Sequence, residues 1–250
     1  QTKRHSFIVS LLGIKHVVVA INKMDIVDYS EEVYERIKAD YSQFAAKLDL
    51  PDIQFIPLSA LKGDNVVEKS AAMPWYNGNT LMFLLENVQI SGDKNLRDFR
   101  LPVQYVNRPD LNFRGYAGTI ASGIVQPGDE VTVLPSRQSS TVDRIVTYEG
   151  DLAEAFAGQA VTLTLNDEID ISRGDMLVRS NNIPQSSDKV VVNIVWMAEQ
   201  ELQPGKQYYF KQSTHLVSGS VKSFRHQIDV NNLEHSAVNS LKLNEIAVCE

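Results

Sequence analysis

Apolar residues run without a polar break over residues 17–21, and the run stops abruptly at Asn22-Lys23-Met24-Asp25. A short continuous apolar run of this kind predicts a strand buried on both faces, as in a parallel sheet. Residues 53–58 predict another short strand, and between the two strands apolar residues recur at helical spacing after Ser30, a good helix N-cap. The pattern therefore predicts a β–α–β unit whose parallel strands place their following loops at one edge of the sheet.

The polar residues that end these two strands suit the recognition of guanine. The carboxylate of Asp25 can accept hydrogen bonds from both N1–H and the exocyclic N2–H of guanine, a pair of donors that adenine lacks. Asn22 can satisfy the other edge of the base, and the aliphatic stem of Lys23 can lie along the ring face. An N-K-x-D sequence alone is equally compatible with an ordinary polar loop. Ser59-Ala60-Leu61, one crossover later, favours the base site.

From residue 100 onward the sequence changes to short β-rich runs separated by turn signals. The predicted strands span residues 101–106, 117–124, 130–134, 141–148, 160–165 and 176–179. Six strands without an intervening helix predict a small antiparallel barrel. Further strands at residues 190–197, 207–211, 216–224 and 246–249 predict a second β module. We therefore divide the chain into an α/β region at residues 1–92, a barrel at 100–182 and a second barrel at 188–250.

The glycine-rich stretch at residues 114–123 has the composition of a phosphate cradle. No predicted helix follows it, so the helix N-terminus that would bind an anion is missing, and bulges or bends in a curled strand explain the glycines better. Gln126-Pro127-Gly128-Asp129 predicts a type II turn, because proline presets φ at the second position and glycine accepts a positive φ at the third.

Composition narrows the possible partners and the compartment. A net charge of −7 without a dense run of Lys or Arg argues against binding to nucleic acid. The single cysteine, Cys249, excludes an internal disulfide and fits a reducing compartment. The sequence shows no signal peptide and no apolar run long enough to span a membrane, so we expect a cytoplasmic protein with no membrane partner. Five scattered histidines predict no metal site.

The N-K-x-D and S-A-L pair resembles the guanine-recognition elements of GTPases. The succession of a β–α–β unit and two β modules is similar to the elongation factor Tu-like superfamily. Longer stretches resemble one branch of it, the GTP-binding large subunits of bacterial sulfate adenylyltransferase (ATP sulfurylase). These stretches are residues 4–8, 12–16, 22–25, 73–76, 104–109, 113–118, 167–175 and 195–200.

The resemblance implies a multidomain fold: the C-terminal part of an α/β P-loop GTPase domain, followed by two antiparallel β-barrels, the second incomplete. It implies guanine binding by Asn22, Lys23 and Asp25 and at Ser59, Ala60 and Leu61, with backbone amides near Ser59 and Ala60 facing the guanine O6. It also implies coupling of GTP hydrolysis to the synthesis of adenosine 5′-phosphosulfate from ATP and sulfate. A separate small subunit that transfers the adenylyl group is the implied partner.

The sequence departs from this family in its phosphate-handling parts. Neither the G-x-x-x-x-G-K-[ST] loop nor the D-x-x-G element occurs in the 250 residues, and phosphoryl transfer depends on the positioning that they supply. We therefore expect an internal piece of a longer protein that begins partway through a domain. We expect it to have no catalytic and no metal-binding residue. GTP and Mg²⁺ would bind the longer protein; from these residues alone we expect no bound Mg²⁺ and little or no measurable GTP affinity, because base contacts alone leave a very weak site.

Two other interpretations remain open at this point. A translational GTPase would present its barrels to tRNA or the ribosome. A β-barrel interaction module carried on a degenerate, non-binding GTPase-like domain is the third possibility, and the intact Asn22, Lys23 and Asp25 argue against such decay.

Overall fold

A computed structural model describes residues 1–110 and 113–250 of the chain. The chain divides into two units. The first comprises Gln1–Ile90, Val192–Leu202 and Phe224–Cys249, and the second comprises Ser91–Val191, Gln203–Ser223 and Glu250.

The first unit contains the predicted β–α–β arrangement. Its helices are α1 (Thr2–Leu11), α2 (Glu31–Ala45) and α3 (Leu81–Asn87), and its first two strands are β1 (His16–Ile21) and β2 (Asp52–Pro57). The two strands pair in parallel over their whole length, from His16 opposite Asp52 to Ile21 opposite Pro57. The crossover between them is α2, so the parallel pairing of the two strands, predicted from the sequence pattern, is confirmed.

The helix α2 starts where the sequence indicates and buries an aromatic side. The Ser30 side chain caps it by accepting a hydrogen bond from the N–H of Val33 at 3.4 Å. Tyr34 and Phe44 are buried, and the ring of Tyr34 lies 5.2 Å from that of Trp75, measured between centroids. The crossover helix is thereby packed against the segment that follows β2.

The second unit is built on an eight-stranded antiparallel sheet. Its strands are β3 (Arg100–Pro102), β4 (Tyr105–Asp110), β5 (Phe113–Thr119), β7 (Glu130–Leu134), β8 (Ser139–Thr147), β9 (Gly150–Leu152), β11 (Ala160–Leu165) and β12 (Met176–Arg179). They follow the order β3-β12-β7-β8-β11-β5-β4, with β9 paired to β8, and a separate pair is formed by β6 (Ile124–Val125) and β10 (Ala155–Phe156).

Hydrogen bonds beyond this order close the sheet into a barrel. The N–H of Arg100 donates to the carbonyl of Ser122 at 2.9 Å, and the N–H of Ala121 donates to the carbonyl of Arg100 at 2.8 Å. These bonds join β3 to the segment after β5. The interior is filled by apolar side chains that include Phe99, Leu101, Tyr116, Val133, Ile145, Leu163 and Leu177.

Glycines in this barrel serve close approach and turns. The glycine-rich stretch forms β5 and the bend after it, where Gly123 has a φ of +81° and an added Cβ would collide with the backbone of Phe99. The predicted turn at residues 126–129 is present, with Gly128 at a φ of +89° and the Asp129 N–H donating to the Gln126 carbonyl at 3.1 Å.

The remaining strands divide between the two units. The first unit contains a sheet in the order β13-β18-β16-β17, and the second contains the hairpin β14–β15. Their bounds are β13 (Val192–Val195), β14 (Gln207–Gln212), β15 (His215–Ser220), β16 (Phe224–Ile228), β17 (His235–Ser236) and β18 (Ile246–Cys249). The strand predicted at residues 216–224, with an interruption at Gly219, has other bounds in the structure: Gly219 is paired within β15, which ends at Ser220, and Phe224 begins β16, which pairs with β18.

Candidate functional site

The loops that follow β1 and β2 start side by side at one edge of the parallel pair. The N–H of Leu58 donates to the carbonyl of Ile21 at 2.9 Å, and the N–H of Met24 donates to the carbonyl of Leu58 at 3.2 Å. The strand pairing thus continues past Pro57 into the two loops. It brings the Asn22–Asp25 segment next to the Ser59–Leu61 segment.

The side chain of Asn22 links the two loops directly. Its Oδ1 accepts a hydrogen bond from the N–H of Lys23 at 2.7 Å and another from the N–H of Ala60 at 3.0 Å. Its Nδ2 has no hydrogen-bond partner among the residues that the structure describes. Asn22 therefore ties the loops together with one end of its amide and leaves the other end available as a donor.

A tight turn presents the other two residues of the N-K-x-D sequence. Lys23 adopts a left-handed conformation with a φ of 66° and precedes a short 3-10 helix, Met24–Val27. The side chain of Met24 is 1% exposed and packs in a core with Ile21 and Tyr34, which anchors the turn. No hydrogen bond or ion pair within the described residues reaches the Asp25 carboxylate, and Lys23 is exposed.

The second loop uses most of its backbone amides internally. Ser59 is fully buried, and its N–H donates to the carbonyl of Asp64 at 3.2 Å while its hydroxyl accepts from the N–H of Lys62 at 3.2 Å. The N–H of Ala60 donates to Asn22 Oδ1, so the two amides expected to face the guanine O6, those of Ser59 and Ala60, are both bonded within the chain. The N–H of Leu61 has no partner in the described part of the chain, and its side chain is 85% exposed.

A buried asparagine beyond Ser59 supports this second segment. Asn65 is 1% exposed, and its Nδ2 donates to the carbonyl of Pro57 at 2.9 Å. Its Oδ1 accepts from the N–H of Ser70 at 2.8 Å. The residue has a φ of 56°, a left-handed conformation that asparagine tolerates better than most residues. Asn65 therefore fixes the end of β2 to the chain beyond the loop.

Tyr29 connects the turn that contains Asp25 to the second loop. Its hydroxyl donates to Asp64 Oδ2 at 2.9 Å, and its carbonyl accepts from the indole N–H of Trp75 at 3.0 Å. The hydrogen bond to Asp64 is the main reason that the pKa of Tyr29 is raised, with smaller contributions from burial and from the negative charges of Asp64 and Asp25. Of the three residues joined by these bonds, only Trp75 lies in a stretch, residues 73–76, that the sequence analysis relates to a known family.

Two further properties of the described residues concern metals and membranes. No group of three His, Cys, Asp or Glu side chains in residues 1–110 and 113–250 is arranged to hold a metal ion. No helix in the same part of the chain is both long and apolar enough to cross a lipid bilayer.

Comparison with known families agrees with this architecture. The family described as "Elongation factor Tu GTP binding domain" matches residues 1–131, just over half of the chain. "Elongation factor Tu domain 2" matches residues 116–178, and "GTP-eEF1A C-terminal domain-like" matches residues 189–250. The chain belongs to the elongation factor Tu GTP-binding family. The multidomain fold expected from the sequence, with an α/β part followed by antiparallel β parts, is confirmed.

Among curated proteins, the chain is 60% identical over 250 residues to "Sulfate adenylyltransferase subunit 1" of Alteromonas mediterranea. It is 61% identical over 248 residues to "Bifunctional enzyme CysN/CysC" of Rhodopirellula baltica, of which it covers 38%. The chain spans about half the length of the subunit 1 relatives, 53% in the Alteromonas case. The resemblance to the large-subunit branch is confirmed at the level of sequence.

Among solved structures, the chain is similar to sup35 complexed with GDP, with a TM-score of 0.58 and 24% identity over the whole chain and 64% of that protein. It is also similar to the translation elongation factor SelB from Methanococcus maripaludis, with a TM-score of 0.53 and 22% identity over 99% of the chain and 53% of that protein. At these identities the similarity establishes the fold alone.

Proposed function

We propose that the chain recognises the guanine base of GTP through the loops that follow β1 and β2. The observation that carries the proposal is the Asn22 side chain, which joins both loops through Oδ1 and leaves Nδ2 without a partner in the described chain. The Asp25 carboxylate and the Leu61 N–H lack partners among the same residues. Polar groups left open on two adjoining loops are the expected features of a site that a polar ligand completes.

Each group has a distinct role in this proposal. The Asp25 carboxylate accepts hydrogen bonds from N1–H and N2–H of guanine, and Asn22 Nδ2 donates to the opposite edge of the base. The Leu61 N–H is the donor left for O6, while Ser59 and Ala60 hold the loop backbone in place. The stem of Lys23 covers the ring face, and its ammonium group stays in water.

The base contact is tested best in a chimera of full length, in which these 250 residues replace the matching segment of the Alteromonas mediterranea relative. In that protein Asp25→Asn should weaken GTP binding by at least about tenfold and improve binding of xanthosine triphosphate, because xanthine has an oxygen where guanine has an amino group. Asp28→Asn, an exposed acid in the same turn, is the matched control. Unchanged GTP affinity in Asp25→Asn would contradict the assigned role.

The wider function that we propose is that of the GTPase subunit of a sulfate adenylyltransferase. It is supported by 60% identity, over the whole of this chain, to a protein named as subunit 1 of that enzyme. In this proposal GTP hydrolysis is coupled to the synthesis of adenosine 5′-phosphosulfate from ATP and sulfate. The partner is a small subunit that transfers the adenylyl group, and the protein is cytoplasmic, with neither membrane nor nucleic acid as a partner.

Within this proposal the chain has three parts: residues 1–92 of a GTP-binding domain, a barrel at 100–182, and a further β domain at 188–250. The phosphates and Mg²⁺ do not fit these residues, because the phosphate-binding sequences are absent from them and no described cluster suits a metal ion. We therefore assign no step of phosphoryl transfer to this chain. The purified 250 residues should hydrolyse no GTP above background.

The choice between sulfate activation and translation depends on the partner that stimulates the GTPase. The chimera's GTPase rate should rise when the small subunit, ATP and sulfate are all present, because coupling requires the nucleotide state to change contacts with the partner. The unmodified Alteromonas relative is the control. Stimulation by ribosomes, without a response to the small subunit, ATP and sulfate, would reject the sulfate assignment and leave the base site standing.

A further inference from the structure

Asp64 contacts both loops of the base site, although it has no place among the residues that would touch guanine. Its Oδ2 accepts a hydrogen bond from the Tyr29 hydroxyl at 2.9 Å, and its Oδ1 accepts from the Ser70 hydroxyl at 2.7 Å. Its backbone carbonyl accepts from the N–H of Ser59 at 3.2 Å. Both carboxylate oxygens and the main chain are thus engaged, which holds Asp64 in one orientation.

Tyr29 in turn belongs to the same turn as Asp25. Its N–H donates to the carbonyl of Met24 at 2.9 Å, and that residue begins the 3-10 helix in which Asp25 lies. The backbone of Tyr29 is itself fixed, with a φ of 55° and a carbonyl bonded to the indole of Trp75. A displacement of the Tyr29 hydroxyl therefore displaces the turn that carries Asp25.

We propose that Asp64 is a positioning residue that holds the Asp25 turn against the Ser59–Leu61 loop and thereby determines how strongly the site prefers guanine to a base without the 2-amino group. The inference rests on the proposed function and extends it to the origin of selectivity. Asn22 joins the two loops before Asp25, as does the hydrogen bond from the N–H of Met24 to the carbonyl of Leu58, and the Tyr29–Asp64 bond joins them after Asp25. Without the Tyr29–Asp64 bond, no hydrogen bond among the described residues joins the turn to the second loop beyond Asp25, so that end of the turn can change its orientation.

Orientation matters here because Asp25 has to meet two donors at once. Hydrogen bonds weaken steeply when their angle falls far below linearity, and a functional group has to be held within about 0.5 Å to act with full effect. If the turn rotates, the contact to one donor survives at the expense of the other. Loss of the Tyr29–Asp64 bond should therefore reduce the advantage that the 2-amino group gives to guanine more than it reduces binding of the base in general.

The experiment uses the 250-residue chain and three nucleoside monophosphates, which differ in the base alone: GMP, IMP, which lacks the 2-amino group, and AMP. Amide chemical shifts followed during NMR titration give a dissociation constant for each. The unaltered chain should bind weakly, and it should prefer GMP to IMP by about tenfold, the value of one hydrogen bond to a charged acceptor. AMP should bind more weakly than IMP.

Tyr29→Phe removes the bond to Asp64 and changes little else, so it should reduce the GMP-to-IMP preference to within about threefold. Asp64→Ala removes the acceptor of the same bond and should do the same, and the double variant should add little to the selectivity change of either single variant, because both remove the Tyr29–Asp64 bond. Tyr76→Phe is the matched control. That tyrosine hydroxyl is also hydrogen-bonded in the first unit, to the carbonyls of Phe55 and Asn79, and its loss should leave the preference intact.

The selectivity ratio separates positioning from a general structural effect, since a merely loosened fold weakens GMP and IMP equally. If Asp64→Ala fails to fold, as its amide spectrum would show, Tyr29→Phe still decides the question. A full preference for GMP in Tyr29→Phe would contradict the positioning role of Asp64 and leave the proposed base site in place. Equal binding of GMP and IMP by the unaltered chain would contradict both the proposed base site and the positioning role of Asp64.

Discussion

Asn65→Ala should destabilise the first unit more than the substitution of any residue that we propose to contact the base. The side chain is 1% exposed and forms two hydrogen bonds that join the end of β2 to Ser70. Alanine removes both and leaves the buried carbonyl of Pro57 without its donor. Ser70 is partly exposed, so water can replace part of its lost bond.

The magnitude follows from these partners. A buried polar group left without a partner costs about 1–3 kcal/mol, and the partly exposed N–H of Ser70 costs less than that. The φ of 56° adds about 1 kcal/mol for alanine, whose Cβ is disfavoured in the left-handed region. Together these terms predict a loss of about 3–4 kcal/mol in the free energy of unfolding.

Asn65→Gly is the matched control, because it breaks the same hydrogen bonds but accepts the positive φ. It should be more stable than Asn65→Ala by about 1 kcal/mol, less the extra entropy of an unfolded glycine. Both are measured by urea denaturation, followed by Trp75 fluorescence in a Trp196→Phe background, since the chain has two tryptophans. A loss below about 1 kcal/mol in Asn65→Ala would refute the hydrogen-bond argument.

Three further predictions concern other parts of the chain. Burial raises the pKa of Cys249 to about 11, so alkylation at pH 8 should be more than about 100-fold slower than in the urea-unfolded chain. Gly123→Ala should destabilise the barrel by about 3–5 kcal/mol in thermal unfolding, because a Cβ at this position collides with the backbone. Gly128 has a similar φ but lies in open space, so Gly128→Ala should cost about 1–2 kcal/mol. The hydrogen bond from His16 lowers the pKa of Asp52 below its ordinary 3.8, so this stabilisation is present above that pH and lost as the pH falls through the lowered pKa. Asp52→Asn should flatten the stability profile below pH 4 by less than about 1 kcal/mol, since the pair is partly exposed to solvent.

Strands were predictable from the sequence where the pattern and the turns agreed. Residues 130–134, 160–165, 176–179 and 246–249 form strands with the predicted bounds. The helix α3 shows the limit of the same reasoning. The helical spacing of Leu81, Leu84, Leu85 and Val88 predicts a buried stripe, yet no residue of α3 is buried and Leu85 is 55% exposed in the described chain. Periodicity identifies the apolar side of a helix, but the contacts that cover that side depend on tertiary packing.

In the candidate site, the residues proposed to contact the base could be predicted from their side-chain chemistry, whereas the residues that support the loops could not. Asn22 and Asp25 could be singled out because their side chains match the donors and acceptors of one base and follow a buried strand. Asp64 and Asn65 could not, because a Gly-Asp-Asn sequence is typical of any loop. Their roles arise only when the loop folds and directs the first side chain toward Tyr29 and the second toward Pro57.

This division predicts different consequences for three neighbouring kinds of residue. Asp25, which we propose contacts the base and to whose carboxylate nothing in the described chain bonds, should change selectivity with little effect on stability when it is substituted. Asn65 bonds to Pro57, Ser70 and Met73, outside the proposed base contacts, so its substitution should change stability and leave selectivity intact in the molecules that remain folded. Asp64 bonds to both loops and should affect both properties. Measuring unfolding free energy and the GMP-to-IMP ratio on one set of variants therefore distinguishes contact, support and positioning within a single pair of loops.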